Sequence, residues 1–406
     1  MDEIEIPQYF ICPISLQIMK DPVTAVTGIT YDRESIEQWL KKAKGTTCPV
    51  TKQPLPSDSD LTPNHTLRRL IQKWCTENTS NGIDGIPTPK SALSKNHVLK
   101  LIRELEVPCL CINALKKMEV LAKDTNEGNR KCMEEAGAAK AVILLLIRCY
   151  KEGINLGLEE ALRILYLIWT PSSEIKALVN ENYDSLDCLT WILGLEIENP
   201  VVVKTHAMLV LKRVIEVANT RMLEILKPEF FKEMLRVLKL KISQQATKSA
   251  LQILIEACLW GRNKSKIVEA NAIFDLIEFE LEKPEKNITE LIVNLLAHLC
   301  SCADGRAQFL LHAGSIAMMA KRILRVSPAT DDQAVHILSL ISKYSATREV
   351  LLEMLRVGAV TKLCMVIQAD CSRFLKEKAR GVLRLHSNLW NDSPCIAVYL
   401  LTRYQR

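Results

Sequence analysis

The chain has 406 residues, of which 48% are hydrophobic, so it is long enough for roughly two to four domains with buried cores. Its formal net charge of +6 is small for this length and no dense basic run occurs, which argues against a nucleic-acid-binding protein. Its 14 cysteines lie at irregular positions, which is typical of a reducing compartment rather than of a disulfide framework.

The N-terminus carries no targeting pattern. The segment 1–5 is acidic, unlike a signal peptide or an Arg-rich transit peptide. The longest apolar run, 141–147, is far shorter than the ~20 residues that span a bilayer. We therefore expect no integral membrane segment and a cytoplasmic location, with a nuclear location also allowed.

Two short motifs, Cys12-Pro13-Ile14-Ser15 and Cys48-Pro49-Val50-Thr51, have the spacing of a zinc-binding Cys-x-x-Cys. In both, a hydroxyl replaces the second thiol, and no Cys or His lies between the motifs, whereas structural zinc needs about four ligands. The pattern predicts a RING-like loop pair without metal, held together by polar side chains. Because no His or acid sits beside either cysteine in sequence to lower its thiol pKa, we expect both to be buried loop supports rather than nucleophiles or metal ligands.

The residues around these motifs predict a β-hairpin and two helices. The β-prone runs 23–26 and 29–31 flank a glycine turn. Asp32 is a favourable N-cap for the helix that follows. Asn64 is the predicted cap of a second helix, whose apolar stripe comprises Leu67, Leu70, Ile71 and Trp74.

A polar, Gly- and Pro-containing stretch separates this region from the rest of the chain. We place a compact N-terminal domain at 5–79, a linker at 80–96 and a helical domain at 97–406.

Amphipathic helical segments recur regularly in the third region. Gly137, Asn271, Gly314 and Gly358 each follow one helix and precede an apolar one, and the last three are spaced 43 and 44 residues apart. Repeats of about 40–47 residues, each of two or three helices, are typical of armadillo or HEAT solenoids, and this length allows about six to seven of them. We expect a left-handed, helix-ending conformation at all four positions.

The N-terminal motifs match a known family pattern in chain order. The matching residues are Phe10-Ile11-Cys12-Pro13-Ile14, Lys20-Asp21-Pro22-Val23, Gly28-Ile29-Thr30-Tyr31-Asp32-Arg33, Ile36, Trp39, Cys48-Pro49-Val50-Thr51, and Pro63-Asn64 with Leu67-Arg68-Arg69-Leu70-Ile71. They resemble a U-box, and a U-box followed by a linker and armadillo repeats resembles the plant U-box ubiquitin-protein ligases. The linker sequence 82–90 is similar to that of the subgroup tied to immune and water-stress responses. The implied fold is mainly α: a small, zinc-free α+β U-box followed by an α-helical armadillo-type solenoid.

The resemblance also implies an activity and its partners. A ligase of this kind binds a ubiquitin-conjugating enzyme that carries ubiquitin, forms no covalent intermediate and holds a protein substrate on its repeats. No cofactor or metal is implied, and homo-oligomerisation stays open. The implied contacts to the conjugating enzyme are Ile11, Cys12, Pro13, Ile14, Leu16, Trp39, Pro49 and Val50. The implied structural residues are Asp21, Pro22, Val23, Gly28, Tyr31, Asp32, Arg33, Cys48, Thr51, Pro63 and Asn64.

One position departs from the family pattern. Many members carry an arginine directly after the second motif, where its hydrogen bonds to both the conjugating enzyme and ubiquitin favour a reactive arrangement. This chain has Lys52, which cannot form the bidentate fork of arginine. Lys52 is therefore the candidate activating residue, and we expect its activation to be weaker or to use other contacts.

Other interpretations stay open at this point. One alternative is a scaffold that recruits partners without activating ubiquitin transfer, which fits the presence of Lys52. A zinc-bound RING is disfavoured because the sequence lacks the metal ligands. A nucleic-acid-binding solenoid is disfavoured because the sequence lacks a basic stripe. Core packing is the alternative to docking for Ile14, Leu16 and Val50. A polar network and a solvated helix face are equally compatible with Asp32, Arg33, Glu34 and Glu37.

Overall fold

The computed structural model describes residues 6–42, 47–55, 60–78, 93–124, 127–197, 199–391, 393–394 and 396–397. The chain divides into two compact units, Met1–Ala92 and Leu93–Arg406. Most of the predicted linker, 80–92, lies outside the described residues. The first helix of the second unit begins at Lys95, so residues 95 and 96 are helical rather than part of the linker.

The first unit contains a small antiparallel sheet and two helices. The strands β1 (Pro22–Thr24), β2 (Thr30–Asp32) and β3 (Thr62–Pro63) have the order β2-β1-β3. Helix α1 spans Arg33–Lys42 and α2 spans His65–Glu77. The predicted hairpin and both predicted helices are therefore confirmed.

Local hydrogen bonds explain where these elements begin. Asn64 caps α2, because its Oδ1 accepts the Leu67 N–H at 3.0 Å, as predicted. Asp32 directly precedes α1, but its Oδ1 accepts the N–H groups of Lys20 and Asp21, both at 2.8 Å. The carboxylate expected to cap α1 thus braces the segment before β1.

The described part of the second unit is helical and repeats a three-helix pattern. The pair α3 (Lys95–Leu105) and α4 (Pro108–Lys123) comes first, and α23 (Ser387–Trp390) comes last. Between them lie six triplets: α5 (Glu127–Glu135), α6 (Ala138–Glu152), α7 (Leu158–Ile168); α8 (Ser173–Glu181), α9 (Asp184–Gly194), α10 (Pro200–Val217); α11 (Thr220–Glu224), α12 (Pro228–Leu240), α13 (Gln244–Ala257); α14 (Asn263–Glu269), α15 (Ala272–Leu281), α16 (Lys286–Cys300); α17 (Ala303–Leu311), α18 (Ser315–Arg322), α19 (Pro328–Tyr344); and α20 (Arg348–Arg356), α21 (Ala359–Gln368), α22 (Arg373–Leu385).

Successive triplets stack through their last helices. Helices α4, α7, α10, α13, α16, α19 and α22 form a row in which each packs on the next. One hydrophobic core runs through the stack from Val98 to Trp390, because each repeat buries its apolar faces only against its neighbours. This is the armadillo-type architecture that the sequence predicts. None of the described helices combines the length and apolar content that crossing a bilayer requires.

Three of the four predicted left-handed positions are confirmed. Gly137, Asn271 and Gly358 have φ values of 77°, 65° and 81°. The prediction for Gly314 is wrong, since its φ is −91°. At this turn the His312 side chain binds the backbone: its Nδ1 accepts the Gly314 N–H at 3.1 Å. A side chain closes this turn where a left-handed residue closes the others.

Candidate docking site

The two cysteine motifs form loops with the same backbone geometry, called here loop 1 (residues 12–16) and loop 2 (residues 48–52). In each, the N–H of the last residue donates to the carbonyl of the cysteine, at 2.9 Å for Leu16 and 3.0 Å for Lys52. Both last residues have positive φ, 57° for Leu16 and 61° for Lys52, which costs a non-glycine residue roughly 1–2 kcal/mol. The surrounding structure therefore imposes the conformation of both loop tips.

Neighbouring residues of β2 hold the two loops. The Cys12 Sγ accepts the Asp32 N–H at 3.3 Å. The Tyr31 hydroxyl lies 2.9 Å from the Cys48 Sγ. Both cysteines are fully buried in one hydrophobic cluster. Strand β2 thus anchors loop 1 through its backbone and loop 2 through a side chain.

Cys48 lies among hydrogen-bond donors from several segments. Its Sγ accepts the Thr27 hydroxyl and the Thr51 N–H, each at 3.4 Å. Burial alone would raise the pKa of the Cys48 thiol, but hydrogen bonds from Thr27, Thr51 and Tyr31 outweigh burial and lower that pKa to about 6. These donors are hydroxyls and an N–H group rather than a His or an acid: Thr27 and Tyr31 precede Cys48 by many residues, and Thr51 lies within the motif itself.

The pKa of Cys12 is also lowered. Burial opposes the shift, and the N–H groups of Asp32, Ser15 and Ile14 overcome it. Backbone donors thus predominate at this sulfur, with a smaller contribution from the Ser15 hydroxyl, whereas side-chain hydroxyls predominate at Cys48.

A carboxylate between two arginines braces the unit around β1. Asp21 Oδ2 accepts from Arg33 Nε at 2.7 Å, and Asp21 Oδ1 accepts from Arg68 Nη1 at 2.7 Å. The Pro22 carbonyl accepts the Asn64 N–H at 2.8 Å, which joins α2 to β1. Arg33 also lies 3.8 Å from Glu37. Together with those of Asp32 to Lys20 and Asp21, these contacts favour the polar-network interpretation for Asp32, Arg33 and Glu37, whereas Glu34 is exposed on the helix face.

Two supporting residues, Thr27 and Arg68, were not among the predicted site residues. Arg68 carries a sequence signal, since it is a cation beside the apolar stripe of α2. Thr27 carries none, because its partner is 21 residues away. Within the described ranges, no three His, Cys, Asp or Glu side chains converge as metal ligands would.

Apolar side chains are exposed on and beside the loops. Leu16 is 77% exposed, Val50 49% and Trp39 36%. Trp39 also donates through Nε1 to the Thr47 carbonyl at 3.2 Å, which ties α1 to the segment before loop 2. Pro13 is exposed as well.

The remaining predicted contacts are less accessible. Ile11, Ile14 and Pro49 are half-buried, and Ile14 packs against the core of the first unit. The assignment of Cys12 to the contact surface is wrong, since its side chain is fully buried and its sulfur supports the loop.

Comparison with known proteins agrees with this geometry. Residues 6–80 match the U-box domain, and residues 97–406 match the plant U-box protein ARM repeat region. The chain is 43% identical to E3 ubiquitin-protein ligase PUB24 of Arabidopsis thaliana, over 99% of this chain and 96% of the relative. It is also 43% identical to E3 ubiquitin-protein ligase PUB23 of the same plant, over 99% and 98%. This chain belongs to the plant U-box ubiquitin-protein ligases. An engineered protein of known crystal structure shares the fold, with a TM-score of 0.54 at 17% identity, covering 76% of this chain and 72% of its own.

The solenoid of this U-box ligase has an open groove of about 440 Å³ beside α10 and α13. Its floor is apolar and buried, but five of its ten lining residues are polar or charged: Lys212, Glu216, Thr220, Gln252 and Glu256. Trp260 donates through Nε1 to Glu256 Oε1 at 3.4 Å. A concave surface that presents both apolar and polar groups is a candidate binding groove. The floor residues are Ile215, Leu223 and Ile253.

Proposed function

We propose that loops 1 and 2 dock a ubiquitin-charged conjugating enzyme through Leu16, Trp39 and Val50. The observation that carries this proposal is the exposure of three apolar side chains on or beside two braced loops. Aromatic anchors often dominate the energy of an interface. Loops that are already fixed lose little conformational entropy when a partner binds.

In the proposed reaction, ubiquitin passes directly from the conjugating enzyme to the substrate. The amine of a substrate lysine attacks the thioester carbonyl carbon, a C–N bond forms, the C–S bond to the conjugating enzyme breaks, and the amine loses a proton. The ligase contributes proximity and orientation. The cysteines of Met1–Ala92, which are Cys12, Cys48 and Cys75, are all buried, which supports a ligase without a thioester of its own.

A reconstituted self-ubiquitination assay tests the docking surface. Leu16→Ala and Val50→Ala should abolish most activity without unfolding the U-box, because both side chains are largely exposed. Val26→Ala is the matched control, since Val26 is 65% exposed on the hairpin turn and belongs to neither loop. Equal activity in Val50→Ala and Val26→Ala would contradict the assignment of Val50 to the docking surface. Partner binding without ubiquitin chains, across a panel of conjugating enzymes, would instead favour a scaffold.

We also propose that the solenoid groove holds the protein substrate. The support is an open groove around Trp260 whose lining combines apolar residues with charged and polar ones. Trp260→Ala should reduce proximity labelling of substrates in cells and leave self-ubiquitination unchanged. Leu259→Ala is the control, because Leu259 is exposed and does not line the groove. An unchanged labelling pattern in Trp260→Ala would place the substrate elsewhere.

The biological role is a further part of the proposal. We propose a cytoplasmic regulator of immune or abiotic-stress responses, supported by the similarity of the linker sequence 82–90 to that subgroup. Plants that lack the protein should respond abnormally to pathogen elicitors or water deficit. A fluorescent fusion found only in another compartment would contradict the location.

A further inference from the structure

The buried sulfur of Cys48 is surrounded by donors. Thr27 from the hairpin turn, Tyr31 from β2 and Thr51 from loop 2 all lie within hydrogen-bond distance of it. A neutral thiol donates its single hydrogen and is a weak acceptor, whereas a thiolate accepts from every side. Three donors on one buried sulfur are therefore the arrangement expected for the ionised form.

The protonation of Tyr31 agrees with this arrangement. Burial raises the pKa of the Tyr31 phenol, and the neighbouring Cys48 raises it further. The phenol therefore keeps its hydrogen and donates it to the sulfur. Among the residues that the structure describes, Tyr31 and, near it, Cys12 are the titratable groups that face this site.

The sulfur is placed where it can control the docking surface. Cys48 begins loop 2, its carbonyl accepts the Lys52 N–H at 3.0 Å, and Val50 is exposed between them. Thr27 and Tyr31 belong to the hairpin, so their hydroxyls join the sheet to loop 2 through one atom. Zinc-bound loop pairs use a metal ion for such a junction.

We propose that Cys48 is carried as a thiolate that braces loop 2 as a metal ion would, and that Thr27 is a positioning residue for conjugating-enzyme docking through this sulfur. The docking half of this inference rests on the proposed function. The ionisation half does not. Thr27 contacts no partner in this mechanism, and its hydroxyl acts only by stabilising the anion that fixes the loop.

The first test titrates the sulfur in the full-length chain. The thiolate ultraviolet absorbance of wild type minus that of Cys48→Ser isolates one cysteine, and its midpoint should lie near the Cys48 pKa of about 6. Thr27→Val, compared with Thr27→Val/Cys48→Ser, should move the midpoint upward. Thr27→Ser keeps the hydroxyl and should return the midpoint to the wild-type value. Thr30→Val is the matched control, since the Thr30 hydroxyl bonds to Thr24 rather than to Cys48.

The second test measures docking. At neutral pH, Thr27→Val should raise the half-saturating concentration of ubiquitin-charged conjugating enzyme several-fold and leave the maximal rate unchanged. Alkaline pH should reverse this defect because it ionises the thiol again, whereas a purely structural defect would persist. If Thr27→Val does not fold, Tyr31→Phe removes another donor to the same sulfur and should give the same shifts.

The possible results separate the two halves. A wild-type midpoint at the ordinary thiol value, or equal shifts in Thr27→Val and Thr30→Val, would overturn the thiolate. If the midpoint lies near 6 and Thr27→Val raises it as expected, but alkaline pH does not restore docking, the positioning role would be overturned. If the midpoint lies near 6 but the chain binds no conjugating enzyme, the proposed function would be overturned, and the ionisation of Cys48 would still be supported.

Discussion

Arg213 contacts Tyr166 at two places, the backbone carbonyl and the aromatic ring of the tyrosine. The Arg213 Nη1 donates to the Tyr166 carbonyl at 2.7 Å, and the guanidinium carbon lies 4.9 Å from the centre of the tyrosine ring. Tyr166 is in the last turn of α7, where carbonyls lack partners within their own helix. An arginine on α10 satisfies one of them and stacks on the same residue, which joins two repeats.

Arg213→Ala should therefore loosen the contact between α7 and α10. We expect the free energy of unfolding to fall by about 1–2 kcal/mol, because a charge-assisted hydrogen bond and a cation–π contact are lost together. Arg213→Lys should recover only part of this, since lysine lacks the planar guanidinium. Urea denaturation measures the difference. Arg221→Ala, at an exposed position on α11, is the control, and an equal loss there would refute this role for Arg213.

Similar contacts recur along the stack, and the sequence did not predict them. Arg148 donates to the Leu105 carbonyl at 2.7 Å, and Arg322 donates to the Glu280 carbonyl at 2.8 Å. Helical periodicity identifies the apolar face of each repeat, but it does not show which cation reaches the preceding one. The repeat interval was therefore predictable, and the contacts that join the repeats were not.

Asp21→Asn should destabilise the U-box. The change removes the anion that pairs with both Arg33 and Arg68, each at 2.7 Å. The Asp21 side chain is about one-third exposed, so solvent screens part of the effect, and we expect a loss of about 1–2 kcal/mol. Differential scanning calorimetry measures the U-box transition. Asp60→Asn, at an exposed position, should leave the transition unchanged; a shift as large as that of Asp21→Asn would indicate a general charge effect.

The stability of the U-box should depend on pH through Cys48. The pKa of this thiol is about 6 in the folded U-box, against an ordinary value of 9.0. The folded state therefore binds fewer protons than the unfolded chain between these values. The stabilisation is complete above pH 9 and is lost as the pH falls through about 6.

Hydrogen exchange of the β1 and β2 amides measures this effect within one unit. Protection in wild type relative to Cys48→Ser should increase as the pH rises from 6 towards 9, after correction for the intrinsic exchange rate. A difference that stays constant with pH would show that Cys48 has the same protonation in both states.

Lys52→Arg should increase the rate of ubiquitin discharge from the conjugating enzyme. Lys52 is exposed at the tip of loop 2 with a φ of 61°, so the new side chain projects from a backbone that is already fixed. Its fork can donate to two partners at once. We expect a roughly tenfold gain, equivalent to one added charge-assisted hydrogen bond. Single-turnover discharge onto free lysine measures it, and an unchanged rate would show that other contacts perform the activation.

The candidate site shows where sequence reasoning reaches its limit. Asn64 and the hairpin depend on neighbours in sequence, so short motifs predicted them. Thr27 is 21 residues from Cys48, and Arg68 is 47 residues from Asp21. A motif does not report such distant partners, nor does it separate a buried loop residue such as Cys12 from an exposed one. The resemblance identified the loops, and the structure was needed to sort their residues.

Gly137 and Gly314 occupy similar sequence positions but should respond differently to alanine. Gly137 has a φ of 77°, and a Cβ there would meet nothing within 4 Å, so only backbone strain opposes the change. We expect Gly137→Ala to cost roughly 1–2 kcal/mol. Gly314 has a φ of −91°, and its Cβ would lie 3.4 Å from His312, an ordinary contact. Gly314→Ala should therefore be close to neutral. Thermal unfolding of the two variants measures the contrast, and equal losses would show that His312 does not replace the left-handed residue at this turn.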